Sequence, residues 1–297
     1  MEAAQDEGFN YRFNSISFNG DEGWIVGKPG ILLHTSDGGK SWERVPLSAK
    51  LPGTPVLITA LEGKGAAEMT TDQGAIYVTA NGAYNWTAAV QETVDATLNR
   101  VISSGISGAS YYEGSFSNIA RSDAGDYVAV SSRGNFFMTW SPGQAYWQPH
   151  NRPATRRLQN MGFAQGGDKL WMSTKGGDLY YGDASGEGAF DQAKLGSRGF
   201  GLLDVKFAAD KKTAFACGGS GSLFKSEDGG ATWKRDRSTD DLAANLYEIQ
   251  FSPNGRAFVL GEGSGGRWGV GEGWGWGCGG WRELGLERAG RGLERAG

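Results

Sequence analysis

The sequence has little of what disulfide-bonded, metal-binding or membrane-spanning proteins require. Among 297 residues there are two cysteines, Cys217 and Cys278, and two histidines, His34 and His150. Two distant cysteines do not form a disulfide framework or a zinc site, and two histidines exclude a histidine-rich metal centre. No apolar run approaches the roughly 18 residues of a membrane-spanning helix. The sequence therefore predicts no metal and no organic cofactor.

The charge and the N-terminal residues limit the class of partner. A formal net charge of −4 excludes a globally basic nucleic-acid binder. The first residues, MEAAQDEGFNYRF, are acidic and polar, so no signal or transit peptide is visible. The chain is expected to be either a mature form or a fragment of a longer precursor.

A pair of strands recurs along the chain with a period in the low forties. In each copy a short hydrophobic strand ends in a turn, and a second strand opens just after a glycine. These glycines are separated by 44, 60, 43, 44 and 44 residues. They are Gly30, Gly74, Gly134, Gly177, Gly221 and Gly265. Strand pairs at this period are typical of a β-propeller, with one four-stranded sheet per repeat. The predicted fold class is all-β, a propeller with six recognisable repeats.

The repeats predict one propeller domain over residues 8–261. The single long interval indicates an insertion at about residues 101–126, which is rich in Gly, Ser and Tyr and is predicted to be a face loop or extended hairpin. An insertion in a regular array usually decorates one surface, often the binding surface. Residues 262–297 lose the apolar alternation and contain GLERAG twice, so we expect a disordered low-complexity tail.

The turn before the outer strand carries a recognisable motif. The pattern S/T-x-D-x-G-x-S/T-W, known as the Asp-box, occurs over 35–42 and 226–233, and 79–86 is a degenerate copy with asparagine at the aspartate position. The aspartate is expected to accept backbone N–H bonds within the hairpin, and the tryptophan to pack between sheets. The residues assigned this structural role are Asp37, Gly39, Trp42, Asp228, Gly230 and Trp233. Equivalent positions between sheets are predicted for Trp42, Trp86, Trp147 and Trp233.

Segments spread over residues 8–261 resemble one known family. They include NYRFNSISFNGDEGWIVGKPGILLHT, QETVDATLNRVISSGISGASYY, GQAYWQPHNR, RRLQNMGF and SRGFGLLDV. The chain is similar to the photosystem II stability and assembly factors of cyanobacteria and chloroplasts, which are seven-bladed propellers of the thylakoid lumen. Two departures are visible: the family's first repeat, which precedes NYRF, and its last strand, after FVLG, have no counterpart here.

The resemblance implies a function without catalysis. Family members bind the newly made, unprocessed reaction-centre core polypeptide of photosystem II and assist the early assembly intermediates. It implies a chloroplast thylakoid-lumen protein that reaches the membrane only through its partners. The chain is expected to be a monomer that binds neither nucleic acid nor a cofactor.

A set of arginines is the family's characteristic feature. By local motif, the matching positions here are Arg133, Arg152, Arg156, Arg157 and Arg198, with Arg100 and Arg121 as further candidates for partner binding. Independently, residues 133–175 carry six basic residues against one acidic residue, a local net charge of +5. Guanidinium groups suit carboxylates because they present forked donors and stay charged. The alternative is that individual arginines bridge neighbouring sheets to Asp or Glu.

Other function classes stay open on the residues alone. Asp-boxes also occur in sialidases, whose sites need an arginine cluster, an acid/base Asp and a Tyr–Glu pair, and Tyr111 and Tyr112 supply tyrosines. A sialidase-like glycosidase and a peptide- or glycan-binding Asp-box propeller are therefore the alternatives. No phosphate-binding loop or Ser–His–Asp arrangement is apparent. His150, beside the basic segment, is interpreted as a hydrogen-bonding loop residue.

Overall fold

The protein consists almost entirely of short antiparallel strands. The structure is a computed structural model and describes residues 10–101, 106, 108–109, 112–195, 201–251, 256–263 and 279–284. It divides into two compact units, residues 1–161 and 162–297. No helix in the described residues is long and apolar enough to cross a membrane.

The first unit contains three four-stranded sheets, each a simple meander in chain order. The first sheet is β1 (Arg12–Asn19), β2 (Glu22–Lys28), β3 (Ile31–Thr35) and β4 (Glu43–Arg44). The second is β5 (Pro55–Ala60), β6 (Ala67–Thr71), β7 (Ile76–Thr79) and β8 (Thr87–Ala88). The third is β9 (Phe116–Arg121), β10 (Tyr127–Ser131), β11 (Phe136–Trp140) and β12 (Gln148–Asn151). One helix, α1 (Val94–Val101), lies in the connection between the second and third sheets.

Three further sheets follow, and β13 (Leu158–Ala164) leads into the second unit. The fourth sheet continues with β14 (Lys169–Thr174), β15 (Leu179–Asp183) and β16 (Asp191–Gln192). The fifth is β17 (Leu202–Phe207), β18 (Ala214–Gly218), β19 (Leu223–Ser226) and β20 (Lys234–Asp236). The sixth is β21 (Ala244–Phe251), β22 (Ala257–Gly263) and β23 (Gly279–Leu284). A short 3-10 helix, Gln165–Gly167, follows β13. One sheet per repeat confirms the predicted fold class.

The middle strands of the sheets are buried on both faces. Every residue of β6, β10, β11 and β18 is buried, although neighbouring side chains on a strand point to opposite faces. Such a pattern requires another layer on each side of the sheet. In the first unit, Ile58 of the second sheet packs with Trp24 and Leu32 of the first. Neighbouring sheets of the first unit therefore stabilise each other.

Adjacent sheets are also joined by a recurring hydrogen bond. The first strand of a sheet carries a polar side chain that accepts the backbone N–H of the next sheet's first strand. Ser15 accepts from Ile58 at 3.2 Å, and Asp204 accepts from Ile249 at 2.9 Å. Both acceptors lie beside an irregularity in the strand register, which turns the side chain toward the neighbouring sheet. Burial raises the pKa of the Asp204 carboxyl, with the nearby charge of Lys206 acting against it.

The outer-strand tryptophans do not all have the same surroundings. Trp147 is 1% exposed between the second and third sheets, and Trp233 is 9% exposed between the fourth and fifth. Trp86 packs beside Trp24 of the preceding sheet, with ring centroids 6.5 Å apart. Trp42 differs from the prediction because it belongs to the first sheet of its unit. It is only partly buried and packs edge-on against Phe18 of its own sheet.

The Asp-box turns are held by a dense set of hydrogen bonds. The Asp228 carboxylate accepts the Thr232 backbone N–H at 2.8 Å and the Ser226 hydroxyl at 2.8 Å. The Ser226 oxygen in turn accepts the N–H of Gly230, which has a φ of +88°. The first copy repeats these contacts with Thr35, Asp37, Gly39 and Ser41. The side-chain and backbone hydrogen bonds of Thr232 lower the pKa of Asp228 to about 2.

Two regions differ from their expected structure. The connection before β9 contains helix α1, whose Val94 and Leu98 are buried against the second and third sheets. The segment at about 101–126 had suggested a face loop or extended hairpin, and it contains the whole of β9, the first strand of the third sheet. In the segment 262–297, Gly279–Leu284 forms β23 and pairs with β22, so this part is a strand where disorder was expected. The other residues after 263 lie outside the described residues.

Trp233, which is buried between two sheets, and Trp42, which is only partly buried, offer a direct test of packing between sheets. We expect Trp233→Ala to lower the free energy of unfolding by about 3–5 kcal/mol, as for other large buried aromatic residues. Trp42→Ala is the matched control and should cost clearly less, since its ring is partly in solvent. Urea unfolding followed by far-ultraviolet circular dichroism measures both, and equal losses would contradict the assignment of Trp233 to the core.

The Asp-box predicts a defined acid dependence of stability. The pKa of Asp228 lies near 2 in the folded protein, below its ordinary value of 3.8. The ionised carboxylate therefore stabilises the folded state above about pH 4, and this contribution is lost as the pH falls from about 4 to about 2. The difference in urea midpoint between the wild type and Asp228→Asn should be constant above pH 5 and shrink toward pH 2. A difference independent of pH would show that ionised Asp228 does not stabilise the turn.

Candidate functional site

The meander order of each sheet places its loops on two different edges. The turn between the second and third strands lies at the same end of the sheet as the connection to the next sheet, because consecutive antiparallel strands reverse direction. We call this end the crossover edge. The first–second and third–fourth turns lie at the other end, which we call the hairpin edge. The Asp-box turns, between third and fourth strands, belong to the hairpin edge.

Hydrogen bonds between loops support this division in the first unit. At the crossover edge, the Leu158 N–H donates to the Gly134 carbonyl at 2.9 Å, and the Val94 N–H donates to the Gln73 carbonyl at 3.1 Å. Each bond joins a second–third turn to the connection that leaves the same sheet. At the hairpin edge of the first sheet, the Gly38 N–H donates to the Asp21 carbonyl at 3.0 Å.

Four of the predicted arginines belong to the crossover edge of the third sheet. Arg133 lies in the β10–β11 turn, and Arg152, Arg156 and Arg157 lie in the β12–β13 connection. We call these four residues the edge arginines. Arg133, Arg156 and Arg157 are exposed, and Arg152 is half-buried. The structure therefore gathers, at one end of one sheet, residues that are up to 24 positions apart in the sequence.

The hydrogen bond between Leu158 and Gly134 fixes the two arginine-bearing loops against each other. Gly134 follows Arg133 directly, and Leu158 follows Arg157 directly. Gly134 has a φ of +70°, and a Cβ atom at this position would lie 2.1 Å from the Leu158 carbonyl oxygen. Only glycine allows this approach. The glycine identified from the repeat period thus has a second role, which is to bring the two arginine loops together.

The edge arginines differ in whether they have an internal partner. Arg133 pairs with Glu113, whose Oε1 accepts from the Arg133 Nε at 2.7 Å and also from Nη2. Arg152, Arg156 and Arg157 form no hydrogen bond or ion pair in the described part of the chain. Exposed guanidinium groups without internal partners are available to an external carboxylate.

Arg121 lies elsewhere and has different surroundings. It ends β9, at the hairpin edge, and its Nε donates to the Glu68 carboxylate of β6 at 2.6 Å. The Glu68 carboxylate also accepts the Tyr127 hydroxyl at 2.8 Å. Burial raises the pKa of the Tyr127 phenol well above its ordinary range, and the charge of Glu68 adds to this shift. Arg121 therefore bridges the second and third sheets, as the structural alternative describes for individual arginines.

The two remaining candidates for partner binding are Arg100 and Arg198. Arg100 lies in the last turn of α1, in the connection that approaches the third sheet at its crossover edge. Its side chain lies outside the described residues, and so does Arg198 as a whole. Both stay predictions.

Sequence reasoning missed Glu113 and the network around Glu68. Glu113 is separated from Arg133 by 20 residues, and Glu68 from Arg121 by 53 residues. Neither separation matches the repeat period, and no motif marks either acid. Only the register of strands and loops brings these pairs together.

His150 has a structural environment. It lies on β12, is buried, stacks on Phe137 with ring centroids 4.8 Å apart, and its Nε2 is 2.8 Å from the Thr139 hydroxyl. It is a strand residue, whereas the sequence had suggested a loop. In the described ranges, no three His, Cys, Asp or Glu side chains are grouped so that they could hold a metal ion.

Comparison with known proteins identifies the family of this chain. Residues 1–267 match the family model described as photosynthesis system II assembly factor YCF48. The chain belongs to this family. It is 58% identical over 261 residues to the photosystem II stability/assembly factor HCF136, chloroplastic, of Arabidopsis thaliana, covering 87% of this chain and 64% of that protein. The resemblance to photosystem II assembly factors found in the sequence is therefore confirmed.

Solved structures of the family agree with the fold. YCF48 from Cyanidioschyzon merolae matches with a TM-score of 0.78 and 49% identity, covering 86% of this chain and 81% of that chain. A structure of YCF48 bound to D1 peptide matches with a TM-score of 0.72 and 44% identity, covering 85% and 75%. These structures confirm the propeller fold of the family. The chain spans less than two thirds of the length of the Arabidopsis relative, 64%, and 60% of the Cyanidioschyzon merolae relative.

The loop contact at Gly134 can be tested by adding a single methyl group. Gly134→Ala should destabilise the first unit because the new Cβ meets the Leu158 carbonyl and because the left-handed backbone costs alanine about 1–2 kcal/mol. Gly143→Ala is the matched control, since Gly143 has a φ of +89° but no atom within 4 Å of its added Cβ. Denaturant unfolding should show a larger loss for Gly134→Ala. Equal losses would mean that the close approach to Leu158 adds nothing.

Proposed function

We propose that this chain is a non-enzymatic assembly factor for photosystem II that binds the newly made, unprocessed reaction-centre polypeptide through the edge arginines. The observation that carries the proposal is the gathering of four arginines at one sheet edge, three of which, Arg152, Arg156 and Arg157, have no internal partner among the described residues. It is supported by a family relative whose structure was solved with D1 peptide bound, and by relatives named as stability and assembly factors.

The edge arginines suit recognition of a peptide with carboxylate groups. A guanidinium stays charged and presents donors in a planar fork that matches a carboxylate. Arg156 and Arg157 lie in a connection and not in a strand, so their side chains contribute to no sheet core. Binding by these loops would require no change in the packed sheets. The site is therefore proposed to be largely preformed before the partner arrives.

The surroundings of the other candidate residues favour binding over glycoside hydrolysis. The Asp-box carboxylates of Asp37 and Asp228 are each engaged by their own turn. Within the first unit, the turn of Asp37 lies at the hairpin edge and the edge arginines lie at the crossover edge. The Tyr112 hydroxyl is buried, and its ring packs against Phe116 and Phe136. A buried phenol is not accessible to a sugar. These features support a scaffold without catalytic activity.

The relatives also suggest where the protein acts. The plant and algal relatives are described as chloroplastic, and a cyanobacterial relative is described as an assembly lipoprotein. We place this chain in the chloroplast thylakoid lumen, acting as a monomer that reaches the membrane through its partners. No nucleic acid or cofactor takes part in the proposed function.

Charge reversal at two unpaired arginines tests the proposed binding site. The double variant Arg156→Glu/Arg157→Glu should weaken binding of a peptide from the lumenal tail of the unprocessed reaction-centre polypeptide by about tenfold at low salt, about 1.4 kcal/mol. The loss should shrink at high salt because the Debye length falls from about 10 Å at 0.1 M to about 3 Å at 1 M. Fluorescence anisotropy of a labelled peptide measures both conditions.

A matched control places the same charge change at the other edge. Lys40→Glu/Lys64→Glu alters two exposed lysines in hairpin-edge turns of the first unit and should leave binding nearly unchanged. Circular dichroism verifies that both double variants are folded. Equal, salt-insensitive binding by the wild type and the arginine variant would exclude these arginines as the docking site. An arginine variant that does not fold would support a purely structural role for them.

A further inference from the structure

One edge arginine already holds a carboxylate that belongs to the protein itself. Glu113 contacts Arg133 through the Nε edge of the guanidinium, with one carboxylate oxygen accepting from two nitrogens. About half of each side chain is exposed, 46% for Arg133 and 55% for Glu113. A pair at this exposure is weak and exchangeable, because water screens both charges. The Glu113 carboxylate therefore occupies Arg133 without being locked in place.

The backbone around Glu113 is held more firmly than its side chain. The Glu113 N–H donates to the Ser132 hydroxyl at 3.0 Å, one residue before Arg133. The preceding residue, Tyr112, is packed against Phe116 and Phe136. The carboxylate is thus kept beside the guanidinium at a high effective concentration, while the side chain itself can rotate away.

The other edge arginines have no such internal partner. Within the described residues, Arg152, Arg156 and Arg157 make no ion pair. Another acid in the same connection, Asp95, is exposed and lies close to Gly114, the residue after Glu113, yet it pairs with no arginine there. Asp95 therefore does not share the contact that Glu113 makes with Arg133, although the two acids lie in the same connection.

We propose that Glu113 is an intramolecular competitor of the partner's carboxylate. In the free protein it occupies Arg133, and a bound acidic segment takes its place by exchange of one ion pair for another. This inference rests on the proposed function, because it assumes that the partner presents a carboxylate to the edge arginines. Glu113 thereby reduces the affinity for isolated carboxylates and favours ligands that also contact Arg156 and Arg157.

The peptide assay tests the competition directly. Glu113→Gln removes the charge and keeps the shape of the side chain, so it should tighten binding of the reaction-centre tail peptide by about two- to fivefold at low salt. In an Arg133→Gln background the same substitution should have no effect, which gives a double-mutant cycle. Asp95→Asn is the matched control, since it changes the net charge equally in the same connection and should leave affinity unchanged.

A measurement without the peptide separates this inference from the proposed function. Acetate serves as the simplest carboxylate probe, and the Arg133 Nε–H signal in a nitrogen-15 NMR spectrum reports its binding. The signal should respond at lower acetate concentration in Glu113→Gln than in the wild type. If no variant binds the peptide but the acetate response shifts in this way, the competition stands and the proposed partner is wrong.

Two results would overturn the competition. Unchanged or weaker peptide binding by Glu113→Gln, with the wild type binding, would show that Glu113 does not compete and instead orients Arg133 for the partner. Equal tightening by Glu113→Gln and Asp95→Asn would show that only net charge matters. In either case the docking site tested with Arg156 and Arg157 would be unaffected.

Discussion

Burial of the middle strands on both faces is the constraint on which the rest of the structure depends. A four-stranded sheet such as β9–β12 cannot bury both faces of β10 and β11 by itself, so these strands depend on other layers packed against the sheet. The hydrogen bonds that the Ile58 N–H donates to Ser15 and the Ile249 N–H donates to Asp204 join the first strands of neighbouring sheets within each unit. Packing between repeated sheets therefore contributes much of the stability of the fold. The sequence period near 44 residues corresponds to one such sheet.

The same constraint separates the structural residues from those free to bind. Polar side chains in hairpin-edge turns form hydrogen bonds within the fold, as Asp37 and Asp228 do in their own turns. Arg121, at the hairpin edge of the third sheet, donates to Glu68 of the second sheet. At the crossover edge of the third sheet, Arg152, Arg156 and Arg157 donate to no acceptor in the part of the chain that the structure describes. On such a scaffold the functional residues are expected in loops. The position of arginines without internal partners therefore indicates the binding site better than the total charge does.

The repeat architecture was predictable from the sequence because it is a local and periodic property. Strand alternation and the Asp-box depend on a few neighbouring residues, and the glycine spacing repeats with the period of the sheets. All three patterns agree with the sheets of the structure. Arg121 and Arg133 could not be distinguished in this way, because their partners Glu68 and Glu113 lie at separations without a motif. Helix α1 was not predicted from the sequence, and the structure buries its Val94 and Leu98 against the second and third sheets. Strand β23 formed in glycine-rich sequence because β22 offered an unpaired edge.

Gly134 links the core of the third sheet to the chemistry at its edge. The left-handed turn at Gly134 is what the repeat requires after β10, and the absence of a side chain there admits the Leu158 carbonyl. The resulting bond from the Leu158 N–H holds Arg157 next to the turn that carries Arg133. The spacing of the charges is thereby set by backbone geometry and not by the flexible arginine side chains. A partner that fits two or more of these guanidinium groups gains from that fixed spacing, since little loop ordering is left to oppose binding. A single carboxylate gains nothing from it and has to compete with Glu113 for Arg133.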